Sequence, residues 1–165
     1  QIQRQKLKLN MSILKSLDQY NQENLYFCDT IKNNVMPNGN FIRILYCMSN
    51  FTMNGVYLHI SFKNVEYEKY YQKHKFMFDT EEHSDIIKKV VEIEKNILSR
   101  INGQMKDKTP QFKVKEQVIN GCIKLHLSDL GFETKQVSLL LKISGIWEKY
   151  NNYGLTYKFS RVVSC

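Results

Sequence analysis

Long apolar runs are missing from this chain of 165 residues, and so is a charged start followed by an apolar core. The first absence argues against a helical bilayer span and the second shows no secretory leader in this sequence, so an intracellular protein is expected, a leader or upstream part removed before Gln1 staying open. Proline occurs twice, and there is no Gly/Ser linker or internal repeat, which leaves one domain, or one domain with an N-terminal arm. The four cysteines, Cys28, Cys47, Cys122 and Cys165, lie far apart with no C-x-x-C pair. The four His residues are equally scattered. Neither pattern suits zinc or a disulfide framework, so free thiols, no metal and no cofactor are expected. No nucleophile elbow, H-E-x-x-H or P-loop is present, so no catalytic residue is assigned and a non-enzymatic protein is expected.

What is abundant is positive charge and tyrosine. Net charge is +8, with ten Tyr. Residues 1–78 carry ten Lys/Arg against five Asp/Glu, residues 79–103 four against six, and residues 104–165 ten against five. The acidic middle segment has apolar residues at Ile86, Val90, Ile93, Ile97 and Ile101, the 3.6-residue period of a helix. Asp79 precedes it as a cap with Glu82 three residues on, and Asn102-Gly103 closes it.

Elsewhere the period is two. Residues 41–48 and 56–62 read as strands joined at Asn54-Gly55, and residues 111–119 and 122–127 as strands joined at Asn120-Gly121, both hairpin signals. Residues 67–78 are a further strand candidate dense in Tyr and Lys, and residues 138–147 and 155–162 flank a turn at Tyr150-Asn151-Asn152-Tyr153-Gly154. Residues 6–13 also alternate, whereas 13–20 could open a short helix. The order predicts a mainly β fold with one central helix, an OB-like Greek-key barrel over residues 41–165 with residues 1–40 as an arm or extension. Barrel closure would remove the open edges of so many strands.

The alternation sorts side chains onto faces. Val56, Leu58, Ile60 and Phe62 form one face, while Tyr57, His59, Ser61 and Lys63 form the other. Lys113 and Lys115 alternate with Phe112 and Val114, and Lys158 with Tyr157 and Phe159. Trp147 continues the parity of Leu139, Leu141 and Ile143 and is expected in the core, with base stacking as the alternative. Aromatic rings for bases and cations for phosphates are what single-stranded nucleic acid requires. The candidate contacts are Lys63, Lys113, Lys115, Lys124, Lys142 and Lys158 for phosphate, and Tyr57, His59, Tyr150 and Tyr153 for stacking, with both turn tyrosines expected to be exposed. The alternatives are a protein-interaction module and an RNA-binding protein.

The stretch Gly145-Ile146-Trp147-Glu148, a short turn, then Gly154-Leu155-Thr156-Tyr157-Lys158-Phe159 resembles the C-terminal strand pair of small single-stranded-DNA-binding proteins of large eukaryotic DNA viruses and virus-like mobile elements. The resemblance implies an OB-like fold, DNA binding without sequence preference, no catalysis, and a role in replication or recombination in the nucleus or at a viral replication site. It also implies replication proteins as partners and leaves room for a homo-oligomer.

Overall fold

The strongest pattern in the chain, alternating apolar and polar residues, builds a mainly β protein with one long helix. A computed structural model describes residues 15–71, 73–126 and 135–162. Its strands are β1 (Lys15–Ser16), β2 (Leu25–Lys32), β3 (Gly39–Cys47), β4 (Thr52–Met53), β5 (Val56–Lys63), β6 (Glu66–Tyr70) and β7 (Lys73–Met77). After helix α1 (Ser84–Ile101) come β8 (Thr109–Gln111), helix α2 (Lys113–Ile119), β9 (Cys122–His126), β10 (Gln136–Lys149) and β11 (Asn152–Arg161). The alternation in residues 6–13 lies outside the described residues. Within 13–20 the described part forms a single 3-10 turn, Leu17–Gln19, in place of a helix. The range 1–40 set apart as an arm includes β1, which pairs with β5, and β2, which pairs with β3.

Strand β10 organises the larger sheet. One edge pairs with β11 over its length, while the other pairs first with β5, from Gln136↔Lys63 to Ile143↔Val56, and then with β3, from Gly145↔Arg43 to Lys149↔Gly39. The hairpin expected between β3 and β5 is therefore not formed, because β10 takes up the pairing edge of both. Gly55 instead turns the chain from β4 into β5 at φ +117°, where a Cβ would stand 2.7 Å from the Ile143 carbonyl oxygen. A second sheet has the order β6-β7-β9, with residues 67–78 divided into two antiparallel strands. Neither sheet closes on itself.

The core lies between the larger sheet and α1. Ile42, Ile44, Leu58, Ile60, Phe62, Leu139, Leu141 and Ile146 come from the strands, Val90, Ile93, Ile97 and Ile101 from the predicted helical stripe, and Leu98 from beside it. Asp79 accepts from the backbone N–H groups of Glu81 and Glu82, both at 2.8 Å, and so caps a turn ahead of the helix proper. His83 ties that turn to β5. Its Nε2 accepts from the Lys63 N–H at 3.0 Å, so Nδ1 carries the proton and donates to the Asp79 carbonyl at 2.8 Å. The ring packs against Phe62 and Phe78, which are stacked on each other.

Residues 113–119 correct the expected strand: they are helix α2, and with them Lys113 and Lys115 lie on a helix. Val114 and Val118 are buried, and a spacing of four satisfies one helix face as well as every second strand position. Asn120-Gly121 accordingly ends a helix and is not a hairpin. Gly121 adopts φ +62° and donates to the Val118 carbonyl, and a Cβ there would lie 2.7 Å from the Phe78 carbonyl oxygen. Cys28, Cys47 and Cys122 are free thiols. No described helix is long and apolar enough to cross a membrane.

The start of α2 is held by a buried carboxylate. Glu94 of α1 is 1% exposed and accepts from the backbone N–H groups of Val114 at 3.1 Å and Lys115 at 2.7 Å. Burial pushes its carboxyl above the ordinary value, against the opposing pull of those two donors. A carboxyl raised in the folded state holds its proton more tightly there than in the unfolded chain. Its contribution is then full below the unfolded value of about 4.3 and is lost as pH rises through the folded value. Glu94→Ala is expected to cost roughly 1–3 kcal/mol in denaturant unfolding by leaving two backbone donors without an acceptor. Glu94→Gln, followed by the same measurement across pH, is expected to remove the fall in stability that accompanies ionisation of Glu94.

Candidate nucleic-acid interface

In an antiparallel ladder, residues directly opposite each other stand on the same face. Lys142 is opposite both Tyr57 and Lys158, so these three stand abreast on the face turned away from the core. The Lys142 ammonium lies 5.3 Å from the centre of the Tyr57 ring. Leu140 is opposite both His59 and Ser160. Ser61 and Ser138 face each other with their hydroxyls 3.1 Å apart, and Lys63 and Gln136 end the row. Five of the predicted contacts, Tyr57, His59, Lys63, Lys142 and Lys158, are thus brought onto one surface.

The same surface continues past a bulge. Pairing between β10 and β11 shifts between Ile143 and Gly145, so the inward set Leu139, Leu141, Ile143 is followed by Ile146, and Trp147 turns outward. The core position expected for Trp147 is thereby corrected: it is half-buried and stands opposite Phe41 on β3 and Gly154 on β11. Two glycines make room for these rings. A Cβ on Gly145 would sit 2.5 Å from the Phe41 ring, and one on Gly154 would sit 3.0 Å from the Trp147 ring. Arg43 is opposite Gly145, lies 5.9 Å from the centre of the Phe41 ring and donates to the Asn54 side-chain oxygen at 2.8 Å. Phe41, Arg43 and Trp147 together with Ile31, Lys32 and Met36 border an open depression of about 460 Å³ whose lining includes no Asp or Glu.

Four predicted contacts lie elsewhere or inside. Lys113 and Lys124 line a separate depression with Lys75 and Glu116, and Lys113 is already paired with Glu116 at 2.9 Å. Lys115 lies near the Phe112 ring, 5.9 Å from its centre. Tyr153 corrects the expectation of an exposed turn residue: it is 1% exposed. The turn is only Tyr150-Asn151, because Lys149 already pairs with Asn152. Tyr153 is therefore the second residue of β11, in inward parity with Leu155, and its hydroxyl donates to the Asn102 side-chain oxygen at 3.1 Å just beyond α1. Tyr150 does occupy the turn and is 68% exposed, with the Lys149 ammonium 5.2 Å from its ring centre.

The sequence reading passed over Phe41 and Arg43 and set Trp147 in the core ahead of base stacking. A glycine within an alternating run signals a bulge, and Gly145 was the available clue that parity breaks before Trp147. Among the described residues there is no group of three or more His, Cys, Asp or Glu able to hold a metal ion.

These placements separate the roles of the three aromatic residues in unfolding experiments. Tyr153→Ala is expected to cost about 3–5 kcal/mol, as for other buried aromatics, whereas Tyr150→Ala leaves the unfolding midpoint almost unchanged. Trp147→Ala is expected to fall between them, because the residue is half-buried. No family model, no curated protein and no solved structure matches this chain, so its functional reading rests on the surface described above.

Proposed function

We propose that this protein binds single-stranded DNA without sequence preference and catalyses no reaction. One observation carries the reading. The outward face of β3, β5, β10 and β11 presents the rings of Phe41, Tyr57 and Trp147 beside the cations Arg43, Lys63, Lys142 and Lys158, and no carboxylate occupies the paired outward positions. Planar rings accept any base by stacking, and cations attract any phosphate, so such a face favours a strand without reading its sequence. Stacking needs unpaired bases, which speaks for a single strand over a duplex.

A role in DNA replication or recombination, in the nucleus or at a viral replication site, is part of the proposal and draws on the resemblance of the β10–β11 hairpin. So is an OB-like relationship, supported by the order of strands, one long helix and further strands. Replication proteins and a second copy of the chain are further proposed partners. A protein-docking reading has one specific observation in its favour: Ile31 and Val35, 50% and 93% exposed, stand at the rim of the Trp147 depression.

Fluorescence titration with oligo-dT tests the proposal directly, because the only Trp in the chain lies on the proposed face. Emission is expected to be quenched on binding, and log affinity to fall linearly with log salt. Neutralising Arg43, Lys142 and Lys158 together by Ala is expected to lower the slope by about 2, at roughly 0.7 per phosphate contact on a single strand. Affinity that is absent at low salt, or indifferent to salt, overturns the reading. Parallel oligo-rU titrations separate DNA from RNA, and Val35→Asp with unchanged oligonucleotide affinity would leave the apolar rim to a protein partner.

A further inference from the structure

Seven described residues adopt a positive φ: Asn38, Gly55, Asn64, Tyr71, Asp107, Gly121 and Tyr150. Five are Gly, Asn or Asp, the residues that tolerate this backbone region. The other two are tyrosines, and both lie at the tips of β-hairpins. Tyr150 turns β10 into β11 at φ +53°, and Tyr71 leaves β6 for β7 at φ +54°. Neither ring contributes much to folding, since Tyr150 is 68% and Tyr71 81% exposed. A bulky residue has been placed where the backbone disfavours it, without burial in return. An observed backbone outlier of this kind points toward function.

We infer that the β6–β7 tip is a second stacking site for an unpaired base, matched to the Tyr150 tip. The inference rests on the single-strand reading and adds a contact outside the larger sheet. Tyr70 and Tyr71 meet edge to face with ring centres 4.6 Å apart, and Tyr70 is 65% exposed, so the tip offers two accessible ring surfaces. Lys73 stands opposite Tyr70 in the ladder and adds positive charge beside the rings for the phosphate that accompanies a stacked base. The hairpin is rooted at the Lys63–Gln136 end of the outer face, where the Val65 N–H donates to the Lys135 carbonyl at 3.0 Å. Tyr150 stands beyond Lys149, at the other end of β10. A strand crossing the face therefore has an aromatic tip available beyond each end. Every base offers a planar surface to such rings, whatever its identity.

The test uses the substitution that the chain itself makes at Asn38 and Asn64. Tyr71→Asn and Tyr150→Asn are prepared with Tyr71→Phe and Tyr150→Phe as ring-retaining controls, and each is measured for thermal unfolding and oligo-dT affinity. The Asn variants are expected to melt at or above the wild-type temperature and to bind roughly five- to 150-fold more weakly, the range for loss of one stacked ring. The Phe variants are expected to bind as the wild type does. Unchanged affinity in Tyr71→Asn overturns the second site. So does a lower melting temperature in Tyr71→Asn that Tyr71→Phe restores, because the ring is then structural. Both results leave the single-strand reading standing, whereas a wild-type protein that fails to bind oligo-dT at low salt overturns that reading and this inference together.

Discussion

The structure depends on a single strand being shared. β10 is long enough to serve β5 with its first half and β3 with its second, while β11 follows its other edge throughout. Two strands separated by β10 in pairing are thereby fused into one sheet, and the bulge between Ile143 and Gly145 is the adjustment that permits the change of partner. An extra residue in one strand raises local twist and shifts parity. Both consequences are used here: β3 is brought alongside, and Trp147 moves from the core side to the outer side.

The bulge also explains how a surface of large rings lies flat on a sheet. Gly145 and Gly154 have no Cβ where Phe41 and Trp147 lie across the backbone, and the Gly145 position is additionally closed by the Ile42 carbonyl oxygen, 2.3 Å from where a Cβ would be. Glycine inside strands normally weakens them, because it adds entropy to the unfolded chain and packs nothing. At these two places the lost packing is supplied by the ring of a neighbouring residue. The aromatic surface and the glycine spacing are therefore one feature, and the G-I-W run and the G-L-T run that mark the hairpin in the sequence are its two halves.

Much of this was legible from period alone, and the failures share a cause. Helix α1 was readable because its stripe extends over five apolar positions that no strand pattern can match. The outward set Tyr57, His59 and Lys63 was readable because β5 is regular, buried on every second residue. Where a segment is short, two periods coincide: Val114 and Val118 fit a strand as well as a helix, and a contact that favours the helix, the Glu94 carboxylate at its first N–H groups, comes from twenty residues away. Asn-Gly pairs indicate that the chain turns, but not which strands the turn will join; that is settled by β10 occupying the edges of β3 and β5. Tyr153 was misjudged by a residue's worth of turn length, which in a strand reverses the side chain.

Charge completes the division between fold and surface. Carboxylates that meet cations in the described residues do so away from the outer face: Asp18 with Lys89, Glu68 with Lys75, Glu116 with Lys113, and Glu148 with Lys108. The three exposed pairs, all but Glu148 with Lys108, add little stability, typically about 0–1 kcal/mol each, so they are better understood as places where positive charge has been neutralised than as braces. Arg43, Lys63, Lys142 and Lys158 have no carboxylate partner among the described residues; Arg43 is bonded to a neutral amide and Lys142 lies over a ring. Gathering cations on one face without counter-charge costs folding energy through mutual repulsion, and the cost is largest at low salt. A polyanion lying along the face would relieve that repulsion, which links the charge of this surface to the ligand proposed for it.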